Sequence, residues 1–299
     1  MAAARVVAVA AVSSLLGLAA GCGTAAPAPA PRAAATTAMG LFVPSQQPGD
    51  VRGLARRLHI TVQGLSAYTT GTSWSTIGHY VPPPTTLRLF LSVSMNPDGG
   101  RPAQVPAHLG VFRQLAGNLV RGGQADAIVR IGWEWSATFF PWGTQSTTPA
   151  QYVRAFRAIV TAMRAVSGAR FRFDWCANSG SVPTNGSYAA SYPGDAYVDY
   201  IGTDQYDDPG SSWVQDLDGT GGLASTAAFA RAHHKAMSIP EWGLNGQDDP
   251  SFIDLMHGFI ADPANHVAYD SYFSDDIAVN SDITLFPASE AAFVRDFHS

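Results

Sequence analysis

From about residue 40 onward the chain alternates short apolar runs with longer amphipathic ones. The short runs are Gly40-Leu-Phe-Val43, Leu87 to Met95, Ala127 to Trp133, Phe171 to Cys176, Tyr197 to Gly202, Ala236 to Ile239 and Val267 to Phe273. Their length predicts strands, and turn signals such as Asn96-Pro-Asp-Gly-Gly100 and Tyr192-Pro-Gly-Asp195 punctuate them. Between them, apolar residues recur at helical spacing. Ala107 to Arg121 carries Leu109, Phe112, Leu115 and Leu119 on one face, and Pro149 to Val166 carries Tyr152, Phe156, Ile159, Val160 and Met163. Thr148 before Pro149 predicts an N-cap followed by Pro at N1. Ser225 to His234 and Ser251 to Ala261 predict two shorter helices. Strands alternating with helices predict parallel βαβ units. Residues 40–299 are 260 positions, close to the ~250 of a (β/α)₈ barrel. With no second linker and no fixed-period repeat, a single barrel domain is expected.

The first 39 residues follow a different pattern. Val6 to Ala20 is an apolar run of 15 residues behind Arg5, suited to a signal h-region and short for a membrane span. It leads into Ala19-Ala20-Gly21-Cys22, which resembles a bacterial lipobox, with Leu18 one place earlier than usual. Residues 1–22 are therefore expected to be a lipoprotein signal with Cys22 as its acylation site. Residues 23–39 are an Ala/Pro-rich spacer with nothing to pack. An exported protein on the outer face of the cytoplasmic membrane follows, or a secreted one if the lipobox is not used. Cys176 is then a lone thiol or a buried small hydrophobe.

Composition narrows the function classes. The net charge is −5, only Lys235 is a lysine among 18 basic residues, and there is no basic run. Nucleic acid is not an expected partner. No His-Glu-x-x-His, Cys-x-x-Cys or EF-hand spacing occurs, so no metal is expected. No dinucleotide fingerprint, P-loop or Gly-x-Ser-x-Gly elbow occurs either, so no cofactor and no serine esterase are expected. A monomer is expected.

Two glutamates stand out at strand ends. One predicted strand runs into Trp133-Glu134-Trp135 and another into Pro240-Glu241-Trp242. In a barrel of this class the C-terminal strand ends host the active site. Their separation of 107 residues suits three βα units of about 31 residues each. Two carboxylates across a cleft are the minimal apparatus for glycoside hydrolysis, and an aromatic setting keeps one of them protonated by desolvation. The aromatics also offer flat faces to sugar rings. Trp133, Trp135, Trp142 and Trp242 are candidates for that role, while Trp175 fits the core as well as the cleft. Asp204 is a candidate binding residue, and Asn178, just past its strand, is placed to reach a sugar hydroxyl.

Gly132-Trp-Glu-Trp-Ser-Ala-Thr-Phe-Phe-Pro-Trp142, Phe171-Arg-Phe-Asp-Trp175, the segment from Tyr192-Pro-Gly-Asp195 to Asp204-Gln-Tyr206, and Pro240-Glu-Trp-Gly243 together resemble glycoside hydrolase family 26, which contains β-mannanases with some β-glucanases and β-1,3-xylanases. The resemblance implies a retaining (β/α)₈ endo-β-glycanase acting on β-linked polysaccharide of mannan or glucan type. It implies Glu134 as acid/base, Glu241 as nucleophile, Tyr206 as a hydrogen-bond donor to the nucleophile and Trp142 as a cleft aromatic. Two positions depart from the family pattern. Trp133 replaces the usual His before the acid/base, and Ser136-Ala137 replaces an Asn-Gly pair. Trp133 offers only an indole N–H. These departures leave a second expectation open: a cell-envelope glycan-binding lipoprotein without turnover.

Overall fold

The structure is a computed structural model that describes residues 37–298. The expectations for Cys22 and for the spacer up to residue 36 lie outside those residues. Among the described residues, eight parallel strands close a barrel in sequence order. They are β1 (Ala38–Phe42), β2 (Gly64–Tyr68), β3 (Arg88–Val93), β4 (Ile128–Ile131), β5 (Arg172–Asn178), β6 (Tyr200–Asp207), β7 (Ala236–Leu244) and β8 (Val267–Phe273). The helices around them are α1 (Pro48–Arg57), α2 (Trp74–His79), α3 (Leu109–Arg121), α4 (Pro149–Arg164), α5 (Trp213–Asp218), α6 (Leu223–Ala232), α7 (Pro250–Ala261) and α8 (Pro287–Phe297). The (β/α)₈ expectation is therefore met. Thr148 and Gln151 form a reciprocal capping box at the start of α4, and the predicted apolar face of that helix is buried.

Strand β2 went unassigned in the sequence. Gly64-Leu-Ser-Ala-Tyr68 is made mostly of small residues, and the barrel interior explains why. A Cβ on Gly64 would sit 2.1 Å from the Phe90 ring, and one on Gly40 2.7 Å from it. Two glycines on neighbouring strands make room for one phenylalanine. Phe90 packs there with Ile128 and Tyr269 as a small plug, separate from the main core. That larger core lies between the outer faces of the strands and the helices, where Leu41, Leu65, Leu91, Ile131, Trp175 and Ile239 are buried. Strand alternation turns the intervening residues inward. Above the plug these are polar: Ser66, Ser92, Arg130, Asp174, Asp204, Ser238 and Ser271 are all buried.

Tyr192-Pro-Gly-Asp195 precedes β6 and so lies at the N-terminal face, opposite the cleft. Asp195 Oδ1 accepts the Tyr192 hydroxyl at 2.9 Å and lies 2.8 Å from His233 Nδ1. Lys235 Nζ donates to the Asp195 carbonyl at 2.7 Å, and Arg157 Nε to the Pro193 carbonyl at 2.6 Å. This turn is a brace between α4 and the α6–β7 connection, and His233 and Lys235 serve it directly.

The crowding at Phe90 has a measurable consequence. Gly64→Ala should destabilise the protein by about 1–3 kcal/mol, the usual cost of overpacking a filled interior. Urea unfolding reads this as a lower midpoint, and adding Phe90→Leu should recover part of the loss. An unchanged midpoint in Gly64→Ala would contradict the packing account.

Candidate active site

The site is built around a buried cation. Arg130, on β4, is 3% exposed. A guanidinium in that position must be paired and fully hydrogen-bonded. Its Nη1 donates to Asp204 on β6, its Nε to Ser92 Oγ at 2.9 Å, and its Nη2 to Tyr68 Oη at 2.9 Å and Glu241 Oε2 at 2.8 Å. Burial works against the charge, but Asp204 first and then the other groups outweigh it, so Arg130 is held well above its ordinary value as a cation. The Cys176 thiol donates to Asp204 Oδ1 at 3.2 Å and is a free, buried cysteine.

Glu241, on β7, receives two further donors. The Tyr206 hydroxyl donates to Oε1 at 2.6 Å, and the Tyr68 hydroxyl donates to Oε2. Burial, and then the neighbouring Glu241, push both phenols well above their ordinary range, so they remain protonated donors. Three donors converging on two oxygens suit a carboxylate, which only accepts. Phe42 and Phe273 stack with ring centroids 4.1 Å apart and place an edge-to-face contact on Tyr68. The Glu241 carboxylate is thereby held by Arg130, Tyr206 and Tyr68, and Tyr68 is itself held by two packed phenylalanines.

Glu134 lies just past β4 in the opposite kind of environment. Its φ of +48° puts it in the left-handed region, two residues after Gly132 at +54°. Such backbone costs an L-residue on the order of 1 kcal/mol or more and persists where surrounding structure imposes it. The carboxyl accepts one hydrogen bond, from Asn178 Nδ2. Burial, followed by the charge of Glu241, pushes its pKa up from 4.5 to about 7, while Asn178 and Arg130 pull it down. Asn178 is itself clamped. Ser181 Oγ donates to its Oδ1 at 2.7 Å, and its backbone N–H donates to Ser136 Oγ at 3.0 Å. The Ser181 contact orients the amide so that its nitrogen faces Glu134.

The structure therefore brings together Glu134, Glu241, Tyr206, Asn178 and Trp133. Trp133 is half-buried, edge-on to Tyr68 at 5.4 Å and against Phe140 and Trp142. Asn178 holds the carboxyl of Glu134. Four expected cleft residues lie elsewhere. Trp242 is fully buried on the outer face of β7 among Tyr272, Phe293 and Phe297. Trp135 is 1% exposed and stacks on the equally buried Trp175. Trp142 is 3% exposed and supports Trp133 from behind, its Nε1 donating to the Trp133 carbonyl at 2.8 Å. Asp204, 1% exposed, is committed to Arg130. Strand alternation sends Trp175 into the helix layer and Asp204 into the barrel below the cleft, whereas a register shift between Ile239 and Trp242 breaks the alternation of β7 and turns Trp242 outward.

Tyr68 and Arg130 were missed as site residues. Tyr68 ends the unassigned strand. Arg130 carried a readable signal: a charge inside the apolar Ile-Val-Arg-Ile run must turn inward and find an acid.

Glu134 ties the site to stability. Its folded pKa is raised, so below about 4.5 both states hold the proton and no cost arises. As pH climbs from 4.5 toward 7, the unfolded chain releases its proton first and stability falls. Glu134→Gln removes that loss and keeps an acceptor for Asn178. It should raise stability above pH 7 by on the order of 3 kcal/mol and change little at pH 5. Chemical unfolding at the two pH values checks this; equal effects at both would refute it.

Comparison with known proteins shows what the chain is similar to. The profile described as Glycosyl hydrolase family 26 matches residues 113–254, which contain both glutamates. A mannan endo-1,4-beta-mannosidase from Bifidobacterium adolescentis is 29% identical over 118 residues, covering 37% of this chain and 12% of that protein. Endoglucanase H from Acetivibrio thermocellus is 31% identical over 115 residues, covering 36% and 12%. The chain thus spans about an eighth of the length of these curated relatives. Among solved structures, a modular endo-beta-1,4-mannanase from Cellulomonas fimi superposes with a TM-score of 0.64 at 20% identity, covering 86% of this chain and 70% of that one. A beta-mannanase from Bacteroides ovatus superposes with 0.63 at 14% identity, covering 89% of each. These likenesses show the fold. The profile match and the curated relatives make the central part of the chain similar to glycosyl hydrolase family 26.

Proposed function

We propose that this protein is an O-glycoside hydrolase that cleaves β-linked polysaccharide with retention of configuration, using Glu134 as acid/base and Glu241 as nucleophile. The observation that carries the reading is the contrast between the two carboxyls. Glu241 is surrounded by donors, whereas Glu134 has one donor and a pKa of about 7. Environments that separate two titratable groups assign the acid and the base. Glu134 passes its proton to the glycosidic oxygen while a Glu241 oxygen attacks the anomeric carbon and the C–O bond breaks. A water then attacks that carbon, Glu134 takes the water's proton, and Glu241 leaves. The names of the curated relatives, a mannan endo-1,4-beta-mannosidase and an endoglucanase, support a β-mannan or β-glucan substrate. A binding-only role drew its support from the missing His and Asn beside Glu134. Asn178 supplies an amide to that carboxyl from the neighbouring strand, which favours turnover.

Glu241→Ala and Glu134→Ala should each abolish release of reducing ends from β-mannan and β-glucan. Full activity in Glu241→Ala would overturn the nucleophile assignment. Glu134 must be protonated to act as the acid, so kcat/KM should fall above about pH 7. Asn178→Ala removes a hydrogen bond that favours the ionised form, so the descending limb should move to higher pH. A limb unmoved by Asn178→Ala would remove Glu134 as its source.

The same reading places Cys22 as a lipid attachment point and residues 23–39 as a tether holding the barrel off the membrane surface. The apolar run before Cys22 supports this. In a bacterial host fed labelled palmitate, the full chain should carry label and Cys22→Ser should not. An unlabelled full chain would refute the anchor.

A further inference from the structure

Glu241 stands at a break in its strand. Toward β6, Ser238 pairs with Gly202 and then Trp242 with Gln205. Toward β8, Ile239 pairs with Asp270 and then Trp242 with Tyr272. Three residues of β7 therefore lie opposite two of β6, and two of β7 opposite one of β8. Both ladders carry the same extra residue in β7, a β-bulge at Pro240-Glu241.

The bulge changes which way the side chains face. Ser238 points into the barrel, where its hydroxyl donates to Asp174 Oδ2 at 2.7 Å, and Ile239 points out into the core. Pro240 points in again, its Cδ 3.2 Å from where a Cβ on Gly202 would lie. Strict alternation would now send Glu241 outward. It points inward instead, onto Arg130, Tyr68 and Tyr206, and Trp242 takes the outward place beside Phe293. The extra residue is what delivers this carboxylate to the cleft. Pro240, which has no N–H, spares the bulge one unpaired donor.

A bulge is held only as firmly as its two flanks, and one residue of β8 engages both. Asp270 lies opposite Ile239 in the ladder, and its Oδ1 accepts the Trp242 Nε1–H at 3.0 Å. Its neighbours Tyr269 and Ser271 face the barrel interior, bonded to Asp174 and to Ser66, so Asp270 faces the helix layer. It is buried there, and burial pushes its pKa up to about 7 while the indole bond offsets part of the rise. An acid costs stability in an apolar layer, and an apolar residue of similar volume would fill the space. What an apolar residue would not supply is the bond to Trp242. Tyr272, Phe293 and Phe297 surround the indole with ring centroids 5.0, 5.9 and 5.6 Å away. Those contacts are non-directional, whereas the hydrogen bond fixes which edge of the ring meets β8.

We propose that Asp270 is a positioning residue for the nucleophile: by stapling Trp242 to β8 it fixes the bulge that turns Glu241 into the cleft. The proposal rests on the hydrolase reading. Asp270 acts from outside the barrel, through Trp242, the residue next to Glu241 in the chain.

The 4-nitrophenyl and 2,4-dinitrophenyl β-glycosides of mannobiose and cellobiose test this. Asp270→Leu should lower kcat/KM by on the order of tenfold to a hundredfold, as displacement of a reacting group by up to about 1 Å does. Dinitrophenolate leaves with almost no help from a proton donor, so an equal loss with both leaving groups traces the defect to Glu241 rather than Glu134. Asp270→Asn, which keeps an acceptor for the indole, should recover most of the rate. Trp242→Phe, which keeps a ring and removes the donor, should match Asp270→Leu, and the double variant should be no slower than either single one. An unchanged rate in both Asp270→Leu and Trp242→Phe would overturn the proposal. So would equal losses in Asp270→Asn and Asp270→Leu, or a loss confined to the nitrophenyl substrates. A wild type that releases neither phenol from any substrate would instead overturn the hydrolase reading, and the staple is then read from Glu241 itself. The chain has three glutamates, Glu134, Glu241 and Glu290, so δ-¹³C-glutamate labelling gives three side-chain carboxyl signals, and Glu241→Ala identifies one. A Glu241 signal that moves in Asp270→Leu and returns in Asp270→Asn supports the staple; the same signal in wild type and both variants refutes it.

Discussion

The arrangement depends on one buried positive charge. A guanidinium inside a barrel is tolerated only when its donors are used, and Arg130 uses them to join four strands: Tyr68 from β2, Ser92 from β3, Asp204 from β6 and Glu241 from β7. The cost of removing a charge from water is what forces this convergence. Truncating one partner leaves a buried charge uncompensated, so the network stands or falls as a unit. The interior serines and Gly202 follow from the same need, since bulky apolar residues at Ser66, Ser92 or Gly202 would occupy the space the polar layer requires. Only the lower end of the barrel, plugged by Phe90, is packed like an ordinary core.

That network also separates the two glutamates chemically. Arg130 and two phenols are spent on Glu241, and Glu134, on the far side of the opening, is left with an amide and the repulsion of its neighbour. One cation placed off-centre leaves two identical side chains in different settings, one surrounded by donors and the other with its pKa raised. Asn178 offsets part of the resulting rise, and Ser181 and Ser136 keep its amide in the orientation that does so.

Much of this was legible in the chain. Strand rhythm, the helix cap at Thr148 and both glutamates could be read because they depend on local pattern: period, turn chemistry and an acid following an apolar run. What could not be read depends on which side of a strand a residue faces once the barrel closes. Trp242 and Trp135 look like cleft aromatics by proximity to the glutamates, yet the register shift in β7 and the geometry of the loop after β4 bury them in the surrounding layer. Asp204 looked like a ligand for sugar and is a partner for Arg130. Tyr68 was hidden because its strand is built of small residues whose reason lies in Phe90, 22 positions beyond it in sequence. Long-range packing of that kind leaves no local trace.

The brace at Tyr192-Pro-Gly-Asp195 has a practical side. It places Lys235, the chain's one lysine, on the face opposite the cleft, with its ammonium on the Asp195 carbonyl. Apart from the chain's own amino terminus, amine-directed coupling has a single address. A support or dye attached there would leave every molecule with its cleft turned outward, an orientation that most proteins reach only after their surface lysines have been engineered away.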